Sequence, residues 1–281
     1  MSPMRALTVL LPRFPAYATP LDKAGWWALR AFCIAVLAFL LAPILAIVPL
    51  SFSSSSFLVY PIPGWSLKWY ADLFGSAEWA RAAKNSFIVS PAATVLATVL
   101  GTLAAVGLSR TSFPFKGLLM SLLIAPMVVP IVVVGVGTYL FFAPLGLADS
   151  YTAIVIVHAA LGAPFVLTTV LATLQGFDRN LLRASLSLGE TPLRSFFRIT
   201  LPVIAPGVVS GALFAFATSF DEVVVVLFLA GPEQSTLPRQ MFNGIRENIS
   251  PTIAAVATLL IVFTTGLLLA LEWLRGRRGQ G

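Results

Sequence analysis

The sequence predicts an all-α integral membrane protein of six transmembrane helices with both termini in the cytoplasm. Three observations carry that expectation. Hydrophobic residues make up 58% of the 281 and charged residues only 10%, where soluble domains run at about 45–50% and about 25%. Six apolar runs, near residues 31–50, 86–108, 118–142, 151–174, 203–229 and 253–274, are each long enough to cross a hydrocarbon core about 30 Å thick. The basic residues alternate in density from loop to loop: thirteen fall on the side shared by both termini and five on the other. That asymmetry sets the orientation through the positive-inside rule. The net charge of +7 is spread between the runs, not gathered on one patch, so it argues for a bilayer and against nucleic acid.

Residues 1–30 form a cytoplasmic segment carrying Arg5, Arg13, Lys23 and Arg30. Its early apolar run, 6–11, is too short for a signal-peptide core of about 7–15 residues. Cys33, the only cysteine, falls in the first span, so no internal disulfide is possible and a packed thiol is expected. After the span, Ser51–Ser56 is a polar loop to which no chemistry is assigned. Trp65, Trp69 and Tyr70 then suit an anchor helix at the membrane interface. Pro43, Pro91, Pro126, Pro130 and Pro164 lie within spans, where neighbouring helices can satisfy the freed backbone groups. Arg110 and Lys116 mark a short cytoplasmic loop. His158, inside the fourth span, reads as a hydrogen-bonded structural histidine, with a proton-relay role as the alternative.

The stretch 181–202 is the least apolar long segment of the second half. Leu181, Ala184, Ser185 and Leu188 fall at helical spacing on one face. Gly189 suits the left-handed residue that ends a helix, Thr191 can cap the next, and Pro192 is pre-shaped for its first position. Leu193, Phe196, Phe197 and Leu201 give a second apolar face, and Pro202 begins the next span. Each helix is shorter than the 12–15 residues, roughly, that isolated helices need. Something must hold them, and a docking element fits better than a solvated connector. The fifth span then carries Asp221 and Glu222, each costly in hydrocarbon by at least about 2.5–3.5 kcal/mol for Asp. Adjacent residues on a helix diverge by about 100°, so one can line a pathway while the other finds a partner or lies nearer the outer surface, the alternative for the pair being a structural ion pair or polar contact with a neighbouring helix or subunit. Gly207 and Gly211 are spaced for close helix packing. A basic tail, 275–281, with Arg275, Arg277 and Arg278, closes the chain after a single transmembrane domain at 31–274.

Several chemistries are excluded. The four lysines follow Asp22, Leu67, Ala83 and Phe115, so no phosphate-cradling Gly-Lys-Ser/Thr loop exists. One histidine and one cysteine cannot make a clustered zinc site. No catalytic residue, metal site or cofactor is therefore expected, and the chain does not read as an enzyme.

Gly189, nine further residues, then Ile199, Thr200, Leu201 and Pro202 resemble the EAA loop of permease subunits of binding-protein-dependent ABC importers. Ser219–Pro232, Thr236–Phe242 and Asn248–Leu260 extend the likeness towards the second permease of spermidine/putrescine-type systems. The resemblance implies a type I importer architecture and an ATPase-coupling loop at 175–202, drawing on Arg183, Ala184, Ser185, Gly189, Phe196, Phe197, Ile199, Leu201 and Pro202. It implies a heterodimer with a second permease, two ATPase subunits holding ATP and Mg²⁺, and a periplasmic or extracellular binding protein. Arg239 and Arg246 become candidate contacts to that binding protein. One departure is evident: Arg183, Ala184 and Ser185 stand where the pattern has Glu-Ala-Ala. The expected substrate is a polyamine or similar organic cation, attracted by Asp221 and Glu222. The alternatives are another small organic solute, such as an amino-acid derivative or opine, and an ion-coupled carrier using Asp221, Glu222 and His158.

Overall fold

The structure, a computed structural model, describes residues 14, 17, 19–110, 114–247 and 249–278, without the side chains of 110, 179, 247, 267, 268 and 270–278. Arg5, Arg13, the side chains of Arg110, Arg179, Arg275, Arg277 and Arg278, and the 6–11 run lie outside the described residues. The chain divides into two compact units, residues 1–70 with 251–281 and residues 71–250.

In the first unit, helix α1 (Pro20–Leu50) starts earlier than the apolar run at residue 31. The cause is local: the Thr19 hydroxyl accepts from Asp22 N at 3.2 Å, the Asp22 carboxylate accepts from Thr19 N at 2.9 Å, and Pro20 opens the first turn. No residue of α1 is buried. Cys33 is consequently exposed on its surface, not packed as expected. The last helix of the chain, Pro251–Arg278, packs against α1 and contains the sixth apolar run. The serine loop has a structural role. Ser54 N donates to Gly64 O at 2.9 Å and Ser66 N to Phe52 O at 2.7 Å, closing a hairpin-like turn. Trp69 Nε1 donates to Ser53 O at 2.8 Å, and the Tyr70 hydroxyl meets Ser51 Oγ at 2.8 Å. Two of the three anchor aromatics thus fasten this loop, and only Trp65 is left well exposed. Helix α2 (Lys68–Gly75) leads the chain into the second unit.

The second unit is organised around three long helices: α3 (Ala77–Arg110), α6 (Tyr151–Gln175) and α9 (Leu201–Phe220). Their contact is built from small residues. Ala93, Ala97 and Ala105 of α3 meet Val166, Leu167 and Val170 of α6 and Ala215 of α9 in one buried cluster. With lipid as apolar as the core, close van der Waals approach drives such packing, and small side chains permit it. Gly207 and Gly211 sit in this seam against Thr173, Thr169 and Val166 of α6, as their spacing predicts.

The third apolar run is not one helix. It forms α4 (Lys116–Val128) and α5 (Ile131–Phe142), bent by 103°. Pro130 has no N–H to continue the ladder and forces Val129 into extended backbone (φ −68°, ψ 132°). The fifth run is also divided. Helix α8 (Pro192–Ser195), a π-helical turn (Phe196–Thr200) and α9 run on as one 29-residue rod that stops at Phe220. The chain restarts as α10 (Val224–Leu229). Among the described residues, four helices are long and apolar enough to cross a membrane, or five if the bent pair is one span. Helix α7 (Arg179–Ser187) precedes the rod, and α11 (Leu237–Glu247) and α12 (Pro251–Arg278) complete the chain.

Candidate functional site

The segment between α6 and α9 is a helix, a glycine turn and a helix. Asp178 caps α7, its carboxylate accepting from Asn180 N at 2.9 Å. Gly189 ends the first helix's turn at φ 86°, a conformation that costs other residues roughly 1–2 kcal/mol. Thr191 caps α8 and Pro192 takes its first position. The second helix is not a separate short piece, because the π turn carries it straight into α9; its stability comes from the rod it begins.

Inside the turn, Ser185 Oγ and Ser195 Oγ are hydrogen-bonded at 2.8 Å and both buried. This pair clamps α7 to α8 and divides the face expected for α7. Ser185 turns inward, whereas Leu181, Ala184 and Leu188 stay exposed, Leu188 at 86%. Leu193 and Phe197 are likewise exposed, Phe196, Ile199 and Leu201 half-buried, and Pro202 exposed. An apolar ridge of Leu188, Leu193 and Phe197 therefore faces outward beside the exposed Arg183, Arg194 and Arg198. Arg198 also pairs with Glu190, which bridges the two sides of the turn. Ser195 and Glu190 escaped the sequence reading: a buried hydroxyl pair ten residues apart leaves no periodic trace.

The two carboxylates do not lie on one continuous helix, as their apolar surroundings suggested. They occupy the break between α9 and α10, and the geometry separates them. Glu222 Oε1 accepts from Val225 N at 2.8 Å, capping α10 and competing with helix continuation. Asp221 ends α9, its side chain exposed and without a hydrogen bond or ion pair among the described residues. Helix α10 is held firmly behind them: Val225, Val226 and Leu229 are fully buried with Ile154, Val157 and Phe142, and Phe228 lies over Gly135 of α5. On α6, His158 is 1% exposed, and its Nδ1 meets Ser219 Oγ at 2.9 Å. The histidine is thus a hydrogen-bonded strut, as read from the sequence, and it holds the end of α9 two residues before Asp221.

After α10 the chain forms a polar belt. Asn85, buried on α3, donates to Glu233 O and Ser235 O, each at 2.8 Å, and accepts from the Tyr151 hydroxyl at 2.8 Å. Arg81 pairs with Glu233 at 2.6 Å. Arg239 donates to Ala230 O at 2.6 Å and Gly231 O at 2.7 Å. Burial pulls its pKa below the usual arginine value, with Asp149 opposing. It is engaged within its own chain. Arg246 is exposed, its guanidinium 5.9 Å from the Phe242 ring centre.

Comparison with known proteins adds four findings. A family model described as "Binding-protein-dependent transport system inner membrane component" matches residues 97–279, which include the helix–turn–helix and both carboxylates. The putrescine transport system permease protein PotI of Escherichia coli (strain K12) is 37% identical over 231 residues, covering 79% of this chain and 82% of that protein. The spermidine/putrescine transport system permease protein PotC of the same strain is 30% identical over 250 residues, covering 89% and 94%. Among solved structures, a chain of a bacterial ABC transporter involved in the import of the acidic polysaccharide alginate superposes with a TM-score of 0.74 at 13% identity. That match covers 93% of this chain and 99% of the other, a likeness of fold alone.

Proposed function

The chain belongs to the family of inner membrane components of binding-protein-dependent transport systems, and from that premise we propose that it is a permease subunit of an ATP-driven importer of polyamines or a similar small organic cation. It forms half of the translocation pathway. The other half comes from a second permease, ATP and Mg²⁺ are bound by two ATPase subunits, and a binding protein delivers the substrate from outside. This chain binds no cofactor and hydrolyses no ATP. Both termini and the 175–202 loop face the cytoplasm, so residues 1–30 and 275–281 are cytoplasmic flanks of the membrane domain. The outward ridge of Leu188, Leu193 and Phe197 is the surface that docks in the ATPase.

The observation that carries the substrate class is Asp221: an exposed carboxylate at a helix break inside an otherwise apolar span. Ionisable groups at such depth line pathways or cavities, and breaks in spans are where transporters hold ligands. The names of the relatives at 37% and 30% identity support the same cation. Asp221→Asn in the assembled transporter is expected to lower putrescine or spermidine uptake by about tenfold or more. Subunit assembly, read by co-purification, should be kept. Undiminished uptake by an assembled Asp221→Asn transporter would overturn the cation assignment and favour another small organic solute.

A further inference from the structure

A cavity of about 620 Å³ opens where α3, α4, α6 and α7 come together, beside the helix–turn–helix. Its lining is of two kinds. Met120 of α4 and Leu171 and Leu174 of α6 are among the residues that make an apolar wall, and among the described lining residues Lys116 and Arg183 carry the formal charges, both positive. Arg183 has no ion pair among the described residues. Thr200 also lines the cavity; it is 2% exposed, and its Oγ1 has no hydrogen-bond partner among the described residues.

We propose that this cavity is a binding site for an anionic glycerophospholipid of the cytoplasmic leaflet. The phosphate sits between Lys116 and Arg183, while an acyl chain lies along Met120, Leu171 and Leu174. The chemistry of the lining selects this occupant. Two cations, with no acid among the described lining residues, disfavour a polyamine and attract an anion. Basic pockets between membrane helices on the cytoplasmic side are suited to anionic headgroups. A lone acidic side chain from a docked protein, or free phosphate, would leave the apolar wall uncovered. The site rests on the proposed orientation, which puts α7 at the cytoplasmic face. It also accounts for Arg183, a cation that turns towards a lipid in a loop whose family pattern has an acid there. A bound lipid would then brace α7 against α4 and α6.

The test is native mass spectrometry of the full-length chain in detergent, with dioleoyl phosphatidylglycerol, dioleoyl phosphatidylcholine or inorganic phosphate added. One phosphatidylglycerol per chain should be retained about tenfold better than phosphatidylcholine, and a Lys116→Gln/Arg183→Gln variant should lose that preference. Leu174→Trp, which fills the cavity without touching charge, should weaken phosphatidylglycerol retention in a chain whose melting temperature is kept. Equal retention of the two lipids, or a preference that survives both variants, would overturn the site. So would displacement of the lipid by equimolar inorganic phosphate. The readout needs neither ATP, partner subunits nor polyamine, so a failed uptake experiment leaves it standing, and unselective lipid binding leaves the transport reading standing.

Discussion

At Gly211 the backbones of α6 and α9 approach so closely that a Cβ would stand 2.6 Å from Val166 Cα. Backbone cannot step aside as the end of a flexible side chain can, so the added methyl must force the helices apart. Gly211→Ala is expected to destabilise the protein by about 1–3 kcal/mol, the usual range for overpacking, and to lower its thermal midpoint in detergent. Gly137→Ala is the control, because nothing lies within 4 Å of a Cβ there. Equal midpoints for the two variants would mean that the glycine seam does not set how α6 and α9 associate. The carboxylates illustrate what adjacent residues can do when a helix stops between them. Glu222 serves the backbone of α10, and Asp221 is left exposed. A neutral side chain at 221 should therefore act on transport and not on folding.

Within the helix–turn–helix, one hydrogen bond joins two buried hydroxyls. Ser185→Ala leaves the buried Ser195 hydroxyl unpaired, for a loss of about 1–3 kcal/mol. Ser185→Ala/Ser195→Ala removes both polar groups and should cost less than the two single changes added together. Thermal midpoints of the three variants would check this; additive losses would mean that the hydroxyls act independently. This element is legible in the sequence because its signals act locally: Gly189 sets one dihedral, Thr191 caps one turn, Pro192 fixes the next. The breaks are not legible to the same degree. Hydropathy counts apolar residues without regard to direction, so α4 and α5 look like one span although they meet at 103°. Pro130 is visible, but whether a proline bends a helix or ends it depends on neighbours that can satisfy the freed groups. At 221–223 there is no proline or glycine at all. The break there turns on a carboxylate reaching a backbone N–H, which spacing does not encode.

Across the second unit, the polar belt joins parts of the chain far apart in sequence through Asn85. Its two bonds to backbone carbonyls and one from Tyr151 are buried or partly so, whereas the Arg81–Glu233 pair is exposed. Asn85→Ala should cost about 1–3 kcal/mol and speed proteolytic nicking of residues 230–237. Arg81→Gln should change little, and less still at high salt, because exposed ions are screened. A larger effect from Arg81→Gln would place the belt's strength in its ion pair. The rod formed by α8, the π turn and α9 has a mechanical consequence. Its 29 residues make a continuous bar about 40 Å long, with the arginine-flanked ridge at one end and Asp221 at the other. A tilt of about 15° about the ridge end, of the size seen when subunits rotate as rigid bodies, would swing the far end by about 10 Å. A small stroke at the ridge end would thus become a wide sweep of one carboxylate, with the bar as lever and the His158–Ser219 bond as a catch near its tip.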